Sequence, residues 1–359
     1  MDKRLFFTAG PSQLYHTVPS HISAAISANI PSISHRGPEF TEVLKTTQDG
    51  LRELLQIPDD SMILFFASAT EIWERLIQNC VEESSFHFVN GSFGGRFYWT
   101  AEMLQRKPQK VEVPMGKGFD IASVTVPENV EMMCFTHNES SSGVMWDMKD
   151  IYALHELYPE KLVAIDVVSS IPYPNINYTK TDAVYFSVQK GFGLPAGLGV
   201  LILSSRAYAK SVAMVKKRIN TGSYHSFPVM KSFDDKGQTT ETPNVLNIYL
   251  LGKVVQDYLE YSIVKIRKDT DEKAEMLNRY FEKHDRYTNA VENFRDRSQT
   301  MVVITTNGDS KKIIQALDKD NIEVGYGYGE MKEKQVRIAN FPAHSKLEVE
   351  YLIDSFSRL

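Results

Sequence analysis

The chain has 359 residues, and at ~150 residues per domain that length suggests two domains. Lys and Arg total 40 against 45 Asp and Glu, a net charge of −5 that lacks the basic excess of a nucleic-acid binder. With 42% hydrophobic and 24% charged residues the composition is globular, and the two cysteines, Cys80 and Cys134, are too few for a disulfide scaffold or a Cys-rich zinc site.

The basic start runs into an apolar stretch that ends at Gly10-Pro11, too short for the core of a secretory signal peptide. No later apolar run reaches the ~18 residues of a membrane span. A cytoplasmic protein is expected. Five short, continuously apolar runs follow: MILFFAS (62–68), SFHFVNG (85–91), MMCFTHN (132–138), LVAIDVV (162–168) and AVYFSVQ (183–189). Such runs predict strands buried on both faces. Between them, Phe40, Val43, Leu44, Thr47, Leu51, Leu54 and Leu55 form one helical stripe. Ile72, Leu76, Ile77 and Cys80 form a second, and Ile151, Leu154 and Leu157 a third. Alternating strands and helices predict an α/β sheet, mostly parallel. The strands at 184–188 and 199–204 are joined too closely for a parallel crossover, which predicts an antiparallel pair. A long helical stretch begins at Asn247, followed by strand MVVITT, helix 311–319, strand VRIAN and helix 347–356, a smaller α+β unit.

Several chemistries find no support. GFGLPAGLG (191–199) has the wrong spacing for a dinucleotide fingerprint and precedes a strand. No P-loop, HExxH, CxxC, EF-hand or GxSxG pattern occurs, so no metal site is expected. The basic run 206–218 reads as a solvated helix face.

Three features agree on one chemistry. Ser68, Ala69 and Thr70 are small residues between a strand and an amphipathic helix, where free N–H groups and the helix dipole can receive a phosphate. Asp166 lies in an apolar strand, and a buried carboxylate requires a cationic or hydrogen-bonding partner. Lys190 follows a buried strand and precedes glycines, a setting that depresses an amine's pKa and suits Schiff-base chemistry. Each alone has an ordinary structural explanation. Together they are the protein parts of a pyridoxal phosphate site: a phosphate cup, an acid for the ring nitrogen, and a lysine.

With TAGPSQL (8–14), SHRGPEF (34–40), AIDVVSS (164–170), SVQKGFGLPAGLGVLIL (187–203), TETPN (240–244) and VRIANFPAH (336–344), the chain resembles the class V aminotransferases of PLP fold type I. Within that family it resembles the phosphoserine aminotransferases. The resemblance spans nearly the whole length. It implies a large PLP-binding domain (16–246) on a mostly parallel seven-stranded sheet and a small C-terminal α+β domain (247–359). Residues 1–15 would pack near the small domain and the active site. Lys190 would be the Schiff-base lysine, Asp166 the ring-nitrogen partner and Phe93 the aromatic on the cofactor ring. Ser140 would lie near the phenolic oxygen and Gln189 near the phosphate. Thr242 would reach the phosphate of a neighbouring subunit's cofactor, which implies a homodimer with shared sites. Arg337 would clamp the substrate α-carboxylate, and His35 and Arg36 the substrate phosphate.

The chain departs from this pattern twice. ASATEIW replaces a glycine-rich run with an arginine at the cup, and GYGYGEMKEKQ replaces a His-Arg pair, leaving Lys332 and Lys334 as its only cations. The expected reaction is a ping-pong transamination of phosphoserine with 2-oxoglutarate. A class V transamination of serine or alanine with glyoxylate or pyruvate is the alternative. Cysteine desulfuration, which needs a mobile reactive cysteine, and a non-enzymatic PLP-fold protein are more distant readings.

Overall fold

The structure is a computed structural model that describes residues 3–359, so the first two residues of the expected segment 1–15 lie outside the described residues. Seven strands form the large sheet in the order Met62–Phe66, Gly199–Leu203, Ala183–Ser187, Leu162–Asp166, Met132–Thr136, Ser85–Val89 and Gln109–Glu112. Gly199–Leu203 is antiparallel to both neighbours, as its short connection predicts, and the other pairs are parallel. The strand Gln109–Glu112 carried no apolar signal because it is a half-exposed edge.

Period-two alternation divides the side chains between two cores. Ile63, Phe65, Val163 and Ile165 face the helices Pro38–Leu55 and Val245–Tyr261. Met62, Leu64, Phe66, Leu162 and Ala164 face the helix Ala69–Cys80 on the other side. Leu157 departs from its expected stripe: it ends the helix Met148–Leu157 and is exposed.

The five apolar runs all end as strands two residues early, at Phe66, Val89, Thr136, Asp166 and Ser187. The apolar pattern continues because the departing chain is itself largely buried, as at Val167 and Val188. Asp166 is therefore the last residue of its strand.

A second sheet orders Leu5–Phe7, Ile322–Tyr326, Gln335–Ala339, Met301–Thr305 and Thr288–Asn289. The N-terminal strand pairs parallel with Ile322–Tyr326, placing residues 5–7 among elements three hundred residues away. The helical stretch after Asn247 is two helices, Val245–Tyr261 and Ile263–Glu282, broken at Ser262 with φ 86°. The first packs its length on the large core, and the second ends in the small-sheet core through Leu277 and Phe281. One straight helix cannot serve both.

Gly191 follows Lys190 where the chain passes the Ile171–Pro172 turn, and a Cβ there would lie 1.7 Å from the Ile171 carbonyl oxygen. Backbone cannot move aside as a side-chain tip can. Gly191→Ala is expected to cost about 3 kcal/mol, the upper end for overpacking, read as a lower urea midpoint with unchanged m.

Candidate active site

The carboxyl ends of the parallel strands, where ligands bind in open α/β sheets, carry most of the expected residues. Asp166 is 5% exposed. Its Oδ1 accepts the Val168 N–H (2.9 Å) and its Oδ2 the Trp73 indole N–H (3.1 Å). Burial raises its pKa to about 6, with the Val168 bond, the Lys190 charge and the Trp73 bond holding it down. Lys190 is 8% exposed. Burial lowers its pKa to about 8, against the attraction of Asp166, while Arg337 lowers it further.

The segment 8–12 lies over Lys190. Gly10 has φ 132°, which requires glycine, and a Cβ there would sit 2.6 Å from Lys190 Cε and displace the lysine. The Ser12 N–H donates to the Gln189 carbonyl at 3.1 Å. The amide oxygen of Gln189 is buried without a partner.

At the head of the helix Ala69–Cys80, Ser68 Oγ accepts the Glu71 N–H (3.2 Å) and Ser187 Oγ accepts the Ala69 N–H (2.8 Å). Thr70 is exposed in the first turn, where an N–H has no carbonyl within the helix. Burial would raise the Glu71 pKa, but His225, the Ala67 N–H and Arg75 bring it to about 2. His225 Nδ1 lies 2.9 Å from Glu71 and its Nε2 3.6 Å from Glu241. Burial opposes charge on His225, yet Glu241 and Glu71 outweigh it and raise its pKa.

Phe93 stands in the first turn of the helix Ser92–Met103, its ring centre 5.5 Å from Lys190 Nζ. The buried Glu139 caps that turn, accepting the Phe93 and Gly94 N–H groups at 3.0 Å each and the Ser141 hydroxyl at 2.6 Å. Burial raises the Glu139 pKa despite these donors.

The small sheet supplies Arg337, whose Nε donates to the Tyr326 carbonyl (2.7 Å) and Nη1 to the Ser140 carbonyl (3.2 Å). Its Cζ lies 5.5 Å from the Tyr328 ring centre, and Tyr328 lies 5.5 Å from Phe93, ring to ring. Lys190, Phe93, Tyr328 and Arg337 thus form one continuous wall.

His35, Arg36 and Thr242 do not join that wall. Arg36 donates to Gln238 Oε1 (3.1 Å) and to the Thr239 and Thr240 carbonyls (2.5 and 3.2 Å), and its Cζ lies 4.9 Å from the Phe233 ring. Thr242 is exposed two residues beyond this cluster.

The sequence reading passed over Trp73, Ser187, Glu139, Tyr328 and His225. Ser187 and Trp73 had usable signals, alternation with Tyr185 in one case and one helical turn from Ala69 in the other. The rest are joined only by the fold. Cys80 and Cys134 are buried and burial pushes both thiols up, which removes the accessible thiolate that desulfuration requires.

The sequence matches the Aminotransferase class-V family over residues 4–330. The structure superimposes on a phosphoserine aminotransferase from Cytophaga hutchinsonii with TM-score 0.98 and 48% identity, covering 100% of this chain and 99% of that one. A putative phosphoserine aminotransferase of Mycolicibacterium vanbaalenii is 27% identical over 349 residues, 94% of this chain and 90% of that protein. An alanine–glyoxylate aminotransferase from Nostoc sp. shares the fold at 21% identity, with TM-score 0.85 over 100% of this chain and 95% of that one. Family match, fold and site chemistry converge: this chain belongs to the class-V aminotransferases and has the fold of the PLP-dependent members.

Proposed function

We propose that this PLP-dependent aminotransferase catalyses the reversible transamination between phosphoserine and 2-oxoglutarate, in serine biosynthesis. The observation that carries the reading is the 48% identity, end to end, with the Cytophaga hutchinsonii phosphoserine aminotransferase. Pyridoxal phosphate suits the residues present. Asp166 uses one acceptor site on each oxygen and keeps others free. The Gln189 amide, turned over, offers an N–H to a phosphate.

We assign Ser68, Ala69, Thr70 and Gln189 to the phosphate, Phe93 and Ser140 to the ring, and Asp166 and Lys190 to its two reactive ends. When bound, the cofactor supplies an electron sink for the charge left as an amino acid's α-proton departs. Asp166 keeps a proton on the ring nitrogen by its charge. Lys190 Nζ, with a pKa about 8, exchanges between amine and ammonium near neutral pH and moves the α-proton. Arg337 keeps Nη2 for the substrate α-carboxylate while two carbonyls fix its plane.

Arg36 and Thr242 are exposed and His35 is half-buried, all away from the wall that Lys190 and Arg337 share, which supports a homodimer in which these residues complete the partner's site. The segments 1–15, 16–246 and 247–359 serve as arm, cofactor domain and small domain, with Val245–Tyr261 joining the last two. Two buried unpaired cysteines support a cytoplasmic location; among the described residues no helix is long and apolar enough to cross a membrane.

The uncharged Tyr328 beside Arg337 favours a second reading, transamination of serine or alanine with glyoxylate or pyruvate. A panel of donors and acceptors, followed by the cofactor's spectrum, separates the two. Arg36→Ala is expected to lower kcat/KM for phosphoserine by about 10–100-fold, the worth of a charge-assisted hydrogen bond, and to leave alanine within twofold. Equal loss for both donors would favour the second reading.

A further inference from the structure

We propose that Trp73 is a positioning residue for cofactor binding: its indole N–H holds the Asp166 carboxylate in one orientation and favours its charged form. The inference rests on the assignment of Asp166 to the cofactor's ring nitrogen.

The geometry follows from two periodicities. Leu162, Ala164 and Asp166 point to the same face of their strand, toward the helix Ala69–Cys80. On that helix Trp73 is one turn beyond Ala69, so the head of the helix serves the phosphate cup and its next turn serves the acid. Trp73 is 3% exposed and belongs to the same core as Leu162 and Ala164. Its ring stacks on Phe97 at 5.7 Å and 17°, and the Arg96 guanidinium lies 5.8 Å from its centre. These contacts fix the indole plane, which gives its single N–H one direction. That direction ends on Asp166 Oδ2 at 3.1 Å.

Tryptophan suits the task because its N–H only donates and does not titrate. A donor of that kind stabilises the carboxylate over the carboxylic acid. The charged or titratable groups that act on Asp166 are Lys190, which favours its charge, and Glu139, which opposes it. Tyr185, opposite Asp166 in the sheet register, brings its buried hydroxyl close to both the Trp73 indole and Asp166, but no hydrogen bond joins it to the carboxylate. The indole is therefore the one side-chain donor that Asp166 has among the described residues.

The test is equilibrium titration of apoenzyme with pyridoxal phosphate from pH 5 to 9, for wild type, Trp73→Phe, Asp166→Asn and the double variant. Trp73→Phe is expected to weaken binding about tenfold and to move the acidic limb of the affinity profile to higher pH. In the Asp166→Asn background the same change should weaken binding less than twofold. Tyr185→Phe should leave the profile in place. Equal weakening in both backgrounds, or none in either, overturns the role of Trp73. An Asp166→Asn protein that binds as wild type does overturns the Asp166 assignment, and this inference with it. Should Trp73→Phe not fold, the unaltered apoenzyme with 15N-labelled tryptophan gives the answer. The Trp73 indole resonance should titrate with Asp166 and cease to titrate once the cofactor binds. A resonance indifferent to both pH and cofactor overturns the proposal.

Discussion

Lys190→Ala is expected to lower kcat by at least about 10³-fold, within the range for a lost general acid–base group. No neighbour can replace it. The other buried lysines are committed to carbonyls, Lys161 to Glu128 at 2.5 Å and Lys273 to Phe341 and His344 at 2.9 and 2.7 Å. After borohydride treatment the wild-type chain should carry the cofactor's mass on Lys190, and the variant none. Added methylamine should restore part of the rate, because the missing group is an amine beside a cavity the shortened side chain leaves. The pH sign follows from burial, which lowers the Lys190 pKa to about 8. Below that value the group is an ammonium and cannot accept the α-proton, so kcat should rise with pH through about 8. Retained turnover with retained covalent cofactor would refute the assignment.

The sequence made Asp166 and Lys190 legible because each breaks a local rule, a charge inside or beside an apolar run. The large sheet was legible through its six buried strands, whose side chains are mostly apolar, while the count of seven came from the family resemblance. What stayed hidden was held by pairings between distant segments. Leu5–Phe7 reads as a short apolar stretch and becomes a strand only by pairing with Ile322–Val324. Glu139 looks like an ordinary polar residue before Ser140, and its role appears only when the Phe93 and Gly94 amides arrive from a helix 45 residues earlier. Ser262 has no turn signature. The break there answers a tertiary demand, the passage from one core to another, which local propensity does not encode. Tyr328 and Arg337 are nine residues apart, yet the contact depends on the strand pairing that sets Arg337 opposite Gly325.

Asp166→Asn is expected to lower kcat/KM by about 10²–10³-fold, the scale of one lost electrostatic contact in a preorganised site. The substitution keeps shape and leaves an oxygen able to accept the Trp73 N–H, so the fold should hold and the thermal midpoint should change little. What disappears is the negative charge. A neutral amide cannot hold a proton on a ring nitrogen, and the electron sink weakens accordingly. The same charge attracts the Lys190 ammonium and raises its pKa. Its removal lowers that pKa below about 8, leaving burial and Arg337 less opposed. The acidic limb of kcat should therefore move to lower pH while the plateau falls, two shifts that a general loss of structure would not produce together. A limb that stays in place, with the plateau reduced, would mean that Asp166 and Lys190 do not act on one another. The charge that raises the Lys190 pKa would then be that of Glu139, the other buried carboxylate.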